Sequence, residues 1–143
     1  MQCDLSTPIP PWTAHLLLVL ALLPAVCTGA DFKTPGLTPE ALSTSLQTAE
    51  APLVVDLREP WEYKIGHIPG AINIPLEQLQ QHLDEVRGDN GVLIYCINGK
   101  RTRQAEPVLL DAGISRLFHL EGAFYAWIQS GLQVEKKEPP AAP

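Results

Sequence analysis

Strand-length apolar runs alternate with helix-forming segments through most of this chain, and that alternation leaves few folds open to it. Residues 53–57, 71–74, 91–95 and 117–120 are short, nearly continuous in apolar side chains, and bounded by turn residues. Such runs mark strands buried on both faces, as in parallel sheets. Thr38, Pro39 and Glu40 supply a cap, a first-turn proline and an early acid, so a helix is expected to about Gln47. Residues 60–64 predict one or two helical turns, broken by Gly66. Leu76, Leu79, Leu83 and Val86 recur at helical spacing and predict an amphipathic helix over 76–87. A further helix from about 101 to 112 stops at Gly113, with Pro107 expected to kink or divide it. Residues 123–129 predict a last helix ended by Gly131. The order predicts an α/β fold: a small parallel β-sheet of about five strands, flanked by helices on both faces. Ligands of such sheets bind at the carboxyl ends of the strands.

The first thirty residues stand outside this pattern. An apolar stretch over 16–26 is too short for an ordinary membrane span. Thr28, Gly29 and Ala30 then supply small residues before the polar sequence begins at Asp31. This is the layout of a secretory signal peptide over 1–30, with cleavage expected after Ala30, although no Lys or Arg precedes the apolar stretch. The expectation is an exported protein, periplasmic or secreted, without a stable membrane span after processing. Residues 31–37 read as a short linker, 38–136 as the folded domain, and 137–143 as a mobile tail.

Processing would also settle the cysteine count. Cys3 and Cys27 lie in the leader, which leaves Cys96 alone. A single exported cysteine is reactive or intermolecular rather than part of a disulfide framework. Storing sulfur as a persulfide, or reduction by a thiol-reducing protein partner, would shield it from oxidation.

Charge narrows the function classes. Hydrophobic residues make up 45% of the chain and charged residues 18%, with a formal net charge of -6. Nucleic acid calls for a basic footprint that this chain lacks, so it is not an expected partner. Against that acidic background Lys100, Arg101 and Arg103 form a local cationic cluster.

Cys96 stands beside that cluster, where the run 91–95 ends and a helix is about to begin. A thiol so placed faces unpaired backbone N–H groups and the positive end of the helix dipole. Lys100 and Arg101 add two formal charges. Each effect favours thiolate over thiol, and the thiolate is the nucleophile. A core cysteine acting as a small hydrophobe needs no such loop.

Three motifs carry a resemblance to a known family. Asp56-Leu57-Arg58-Glu59-Pro60-Trp61-Glu62-Tyr63 and Gly66-His67-Ile68-Pro69-Gly70-Ala71-Ile72-Asn73-Ile74-Pro75 resemble the amino-terminal signature of the rhodanese (thiosulfate sulfurtransferase) domain. Tyr95-Cys96-Ile97-Asn98-Gly99-Lys100-Arg101-Thr102 resembles its active-site loop. Leu120-Glu121-Gly122-Ala123-Phe124-Tyr125-Ala126-Trp127, with Gly131, resembles its carboxyl-terminal signature, except that the family commonly pairs two glycines where this chain has Gly122-Ala123.

The resemblance implies a catalytic Cys96 that attacks the outer sulfur of thiosulfate, or of a similar small sulfur-containing anion, and becomes a persulfide. Cyanide or a thiol acceptor then removes the sulfur. Backbone N–H groups of Ile97, Asn98, Gly99, Lys100, Arg101 and Thr102 would cradle the persulfide, with Lys100 and Arg101 holding the donor's oxyanion end. No cofactor is called for. The alternative is a low-turnover persulfide carrier or a partner-binding module of the same family. The related cell-cycle phosphatases and arsenate reductases use a longer loop than the six residues from Cys96 to Arg101.

The remaining candidates take supporting parts. Asp56 and Arg58 are expected to hold the sheet's edge near the site through ion pairs and backbone hydrogen bonds. His67 is expected to order the turn before Pro69, and Trp61 and Trp127 to be core aromatics. Glu62 and Glu121 read as solvated or paired. No His, Cys or acid cluster has metal-ligand spacing, so no metal site is expected.

Overall fold

Strand β4 (Val92–Tyr95) is buried along its whole length and lies at the centre of the sheet. The computed structural model describes residues 32–136, so the leader over 1–30 and the tail over 137–143 lie outside the described residues. The other strands are β1 (Gly36–Leu37), β2 (Leu53–Asp56), β3 (Ile72–Asn73) and β5 (Leu117–Leu120). They form a five-stranded sheet in the order β1-β5-β4-β2-β3, with every pair parallel. Asp56 pairs in register with both Asn73 and Tyr95, so the ends of β2, β3 and β4 share one edge.

Side-chain alternation along β4 builds two apolar layers. Val92, Ile94 and Cys96 face one layer, with Val55, Leu79, Ala105 and Leu109. Leu93 and Tyr95 face the other, with Leu42, Val54, Phe124 and Trp127. Helix α3 (Lys100–Asp111) covers the first layer. Helices α1 (Pro39–Ser45) and α4 (Ala123–Gln129) cover the second, and α2 (Pro60–Ile65) contributes Tyr63 at its margin. Each fully buried aliphatic side chain contributes roughly 1.5–3 kcal/mol. The expected α/β architecture is therefore present.

Local chemistry explains where the elements begin. Thr38 caps α1, its hydroxyl oxygen accepting the Ala41 N–H at 3.2 Å, and Pro39 stands in the first turn. Glu62 reaches back to accept the Glu59 N–H at 3.0 Å at the start of α2.

Four expectations need correction. Leu76–Gln81 is a 3-10 helix and not the first half of an α-helix over 76–87. Three-residue turns continue beyond it, with Glu85 N–H to the His82 carbonyl at 3.0 Å and Val86 N–H to Leu83 at 3.3 Å. A spacing of three between Leu76 and Leu79 suits the tighter helix as well as the α-helix. Residues 36 and 37, expected in a linker, form β1 and complete the sheet against β5. Of the two effects expected of Pro107, division of α3 does not occur, because the helix runs unbroken from Lys100 to Asp111. Arg103 and Pro107 are both exposed, so the carbonyl that loses its proline-blocked partner is on the hydrated side. Trp61 is 64% exposed and not in the core, because short α2 turns Glu62 and Tyr63 inward and leaves Trp61 and Ile65 outside. Trp127 is a core aromatic.

Candidate active site

Cys96 follows the last residue of β4, and alternation turns its side chain toward α3. The residue is fully buried. Gly99 donates its N–H to the Cys96 sulfur at 3.1 Å. Gly99 has φ 86°, a left-handed conformation that glycine adopts without the steric cost of a Cβ. That conformation folds the chain back sharply enough for α3 to start at Lys100.

Helix α4 pins the same loop from the other side of the sheet. Phe124 donates its N–H to the Cys96 carbonyl at 2.9 Å, and Tyr125 donates to the Ile97 carbonyl at 3.3 Å. These are first-turn N–H groups that lack partners within their own helix. The backbone reaches this arrangement through Gly122 at φ 67° and Ala123 at φ 58°. Ala123 thus takes the left-handed conformation that a second glycine would take, at a cost of about 1–2 kcal/mol.

The loop's outer side carries its polar groups. Ile97, Asn98 and Lys100 are exposed, and the Lys100 N–H donates to Asn98 Oδ1 at 3.2 Å. Arg101 is half-buried, and its Nη1 lies 3.0 Å from Glu62 Oε2 on α2. Arg101 is therefore a paired cation, and Lys100 carries the outward charge. Thr102 is buried, and its hydroxyl has no hydrogen-bond partner among the described residues. A pocket of about 360 Å³ opens over this side, lined by Leu76, Glu77, Ile97, Asn98, Lys100 and Arg101, with Gln104.

Asp56 and Arg58 lie at the carboxyl edge of the sheet in a buried ion pair. Asp56 Oδ2 accepts from Arg58 Nη2 at 2.6 Å and from the Tyr95 hydroxyl at 2.7 Å. Arg58 Nη2 also donates to the Gly66 carbonyl at 2.7 Å, and its guanidinium lies 4.0 Å from the Phe124 ring centre. Burial would discharge Arg58, but Asp56 outweighs it and raises its pKa. Burial and the Asp56 charge together push the Tyr95 phenol well up, so it stays protonated and donates. The network thus braces Tyr95, next to Cys96, and Phe124, which holds the loop's first carbonyl.

His67 orders its turn as expected. Its Nδ1 lies 2.8 Å from the Tyr63 carbonyl, its ring stacks on Tyr63 at 3.6 Å, and its backbone bridges to Glu135. The sequence leaves Glu62 as solvated or paired, with Arg101 not identified as its partner, and gives Phe124 and Tyr125 no part in the site. The cap position of Glu62 was legible, but its reach to Arg101 depends on tertiary packing. Gly122 before α4 signals an unusual backbone without saying which carbonyls it would meet.

Residues 38–130 match the Rhodanese-like domain family. A curated protein of Allochromatium vinosum named as a sulfurtransferase is 36% identical over 99 residues, which cover 69% of this chain and 92% of the relative. An uncharacterized protein of Bacillus subtilis is 43% identical over 74 residues, and the match spans 52% of this chain and 59% of that relative. The crystal structure of a thiosulfate sulfurtransferase from Pseudomonas aeruginosa superposes with a TM-score of 0.64 at 29% identity, covering 73% of this chain and 21% of that one.

Proposed function

This chain belongs to the rhodanese-like domain family, and on that footing we propose that it moves a sulfane sulfur from thiosulfate, or a similar small anion, to cyanide or a thiol. The Cys96 thiolate attacks the outer sulfur of thiosulfate. A sulfur–sulfur bond forms to Cys96, the bond within the donor breaks, and sulfite leaves with its electron pair. Cyanide or an acceptor thiolate then attacks the outer sulfur of the persulfide and returns Cys96 as thiolate. The observation that carries the reading is the Gly99 N–H aimed at the Cys96 sulfur at 3.1 Å. A backbone donor at that distance stabilises negative charge on sulfur without a reorganisation step. Lys100 would attract the donor's oxyanion end, and the unpaired Thr102 hydroxyl supplies a further donor near the start of α3.

Mass spectrometry after thiosulfate treatment should show one added sulfur on the wild-type chain and none on Cys96→Ala. Cyanide should then release thiocyanate. A Cys96→Ala protein with full activity would end the reading. Export through a cleaved leader is part of the same proposal, and a purified native chain that still begins at Met1 would remove it.

A second reading, a partner-binding or carrier module, draws on the exposed apolar side chains of Trp61, Ile65, Ile97, Tyr125 and Ile128. It requires turnover near background with every small thiol, and capture of a partner that survives Cys96→Ser.

A further inference from the structure

Resting on the reading that Cys96 receives the sulfur, we infer that Phe32 is a positioning residue for the reactive loop, clamped in place by Glu106. Both lie outside the motifs described above, and Phe32 precedes the matched span of 38–130.

Glu106 is the anomaly that leads to this inference. It sits within α3, is 3% exposed, and faces no cation at salt-bridge distance among the described residues. A buried carboxylate is costly unless its oxygens are satisfied. Among the described residues, all its hydrogen bonds come from one short strap. Lys33 N–H donates to Oε2 at 3.0 Å, and Thr34 N–H donates to Oε1 at 2.8 Å. The Thr34 hydroxyl donates to Oε1 at 2.5 Å and lies 3.3 Å from His119 Nδ1 on β5. A strap that needed only packing would be met by an apolar residue at 106 at lower cost. The carboxylate instead fixes the direction in which the strap leaves β1.

That direction delivers Phe32 to the loop. Its ring stacks on His119 with centres 3.8 Å apart at 14°, and the Arg103 guanidinium lies 5.8 Å from its centre. A Cβ placed on Gly99 would lie 3.7 Å from Phe32 Cζ. Gly99 is the residue whose N–H points at the sulfur. Phe32 therefore stands about one methyl group's width from the loop residue whose N–H donates to Cys96 Sγ. Glycine has the widest conformational freedom of any residue, and a ring so near limits how far that peptide can swing outward before it meets the ring. The strap thus supplies rigidity where the sulfur needs a fixed donor.

The test uses the full chain with Phe32→Ala, Phe32→Tyr and Glu106→Gln, and two measurements on each. Single-turnover persulfide formation with thiosulfate should fall about tenfold in Phe32→Ala, mainly in the rate constant and less than threefold in the donor's half-saturation. Phe32→Tyr should restore it, and Glu106→Gln should reproduce the loss with the ring still present. Iodoacetamide alkylation of Cys96 should slow in parallel. A merely structural loosening would uncover the buried sulfur and speed alkylation, so an unchanged or faster rate in both Phe32→Ala and Glu106→Gln overturns the inference. A wild-type chain that forms no persulfide sinks the sulfurtransferase reading alone, because the alkylation series still decides the role of Phe32.

Discussion

Glu62 and Arg101 form an ion pair at 3.0 Å that ties the first turn of α2 to the Cys96 loop. The same Glu62 oxygen accepts the Glu59 N–H, so one atom serves as helix cap and loop anchor. Glu62→Gln should cost stability only about 0.2–1 kcal/mol, the range of partly exposed pairs. Its kinetic effect should be larger, raising KM for thiosulfate more than it lowers kcat, because Arg101 loses a fixed position. Steady-state kinetics beside urea denaturation would separate the two, and a change in kcat alone would contradict it.

Asp56→Ala should be far more damaging. It leaves the Arg58 guanidinium buried without its carboxylate and the Tyr95 hydroxyl without its acceptor. Breaking a buried pair from one side costs about 3–5 kcal/mol. Equilibrium urea unfolding should show that loss, and a variant within about 1 kcal/mol of wild type would mean the pair is not a brace.

The approach to α4 makes a two-part prediction. A Cβ on Gly122 would lie 2.5 Å from Ala126 Cβ, at φ 67°. Gly122→Ala should therefore destabilise by about 2 kcal/mol or more. Ala123→Gly should change stability by no more than about 1.2 kcal/mol, since relief of about 1–2 kcal/mol of strain is offset by a lost buried methyl of about 0.8 kcal/mol. Thermal melts of the two variants give the comparison directly.

Complete burial of Cys96 should make its chemistry size-selective. Iodoacetamide should modify the native thiol at least tenfold faster than a bulky aromatic disulfide does, once each rate is divided by that for the urea-unfolded chain. Equal normalised rates would show that the loop does not enclose the sulfur in solution.

Acid should loosen the strap in two stages. Burial lowers the pKa of His119, against the opposing pull of Glu106 and Glu121, so the folded state takes up its proton less readily than the unfolded chain. The stability this gives is full above about pH 6.5 and declines as pH falls below it. Burial pushes Glu106 up, but the Thr34 hydroxyl and the two backbone N–H groups outweigh it and hold the carboxyl below its ordinary range. Its contribution is present above about pH 4.3 and is lost as pH falls further. His119→Gln should flatten the upper stage and Glu106→Gln the lower, read from urea midpoints across pH.

Much of this was legible from residues alone, for reasons that differ by element. The strand β5 and helix α4 have sharp chemical boundaries, and Cys96 was marked by a glycine and cations in a short loop. The segment after Pro75 was not legible as a 3-10 helix, because leucines spaced by three and four satisfy two periods at once. Trp61 was misplaced because a six-residue helix has too few turns for a reliable apolar face. Thr34, Glu106 and His119 are far apart in sequence and obey no local pattern, so only the fold brings them together. The sequence marks the Cys96 loop as a candidate, but not the groups that hold it.

Because the Cys96 and Ile97 carbonyls are satisfied by Phe124 and Tyr125, this site cannot be finished until nearly thirty further residues have been made. During synthesis Cys96 would emerge from the ribosome before the helix that secures its loop. A partly made polypeptide would therefore display the sulfur in a slack bend, and full competence would arrive only as the final turns dock.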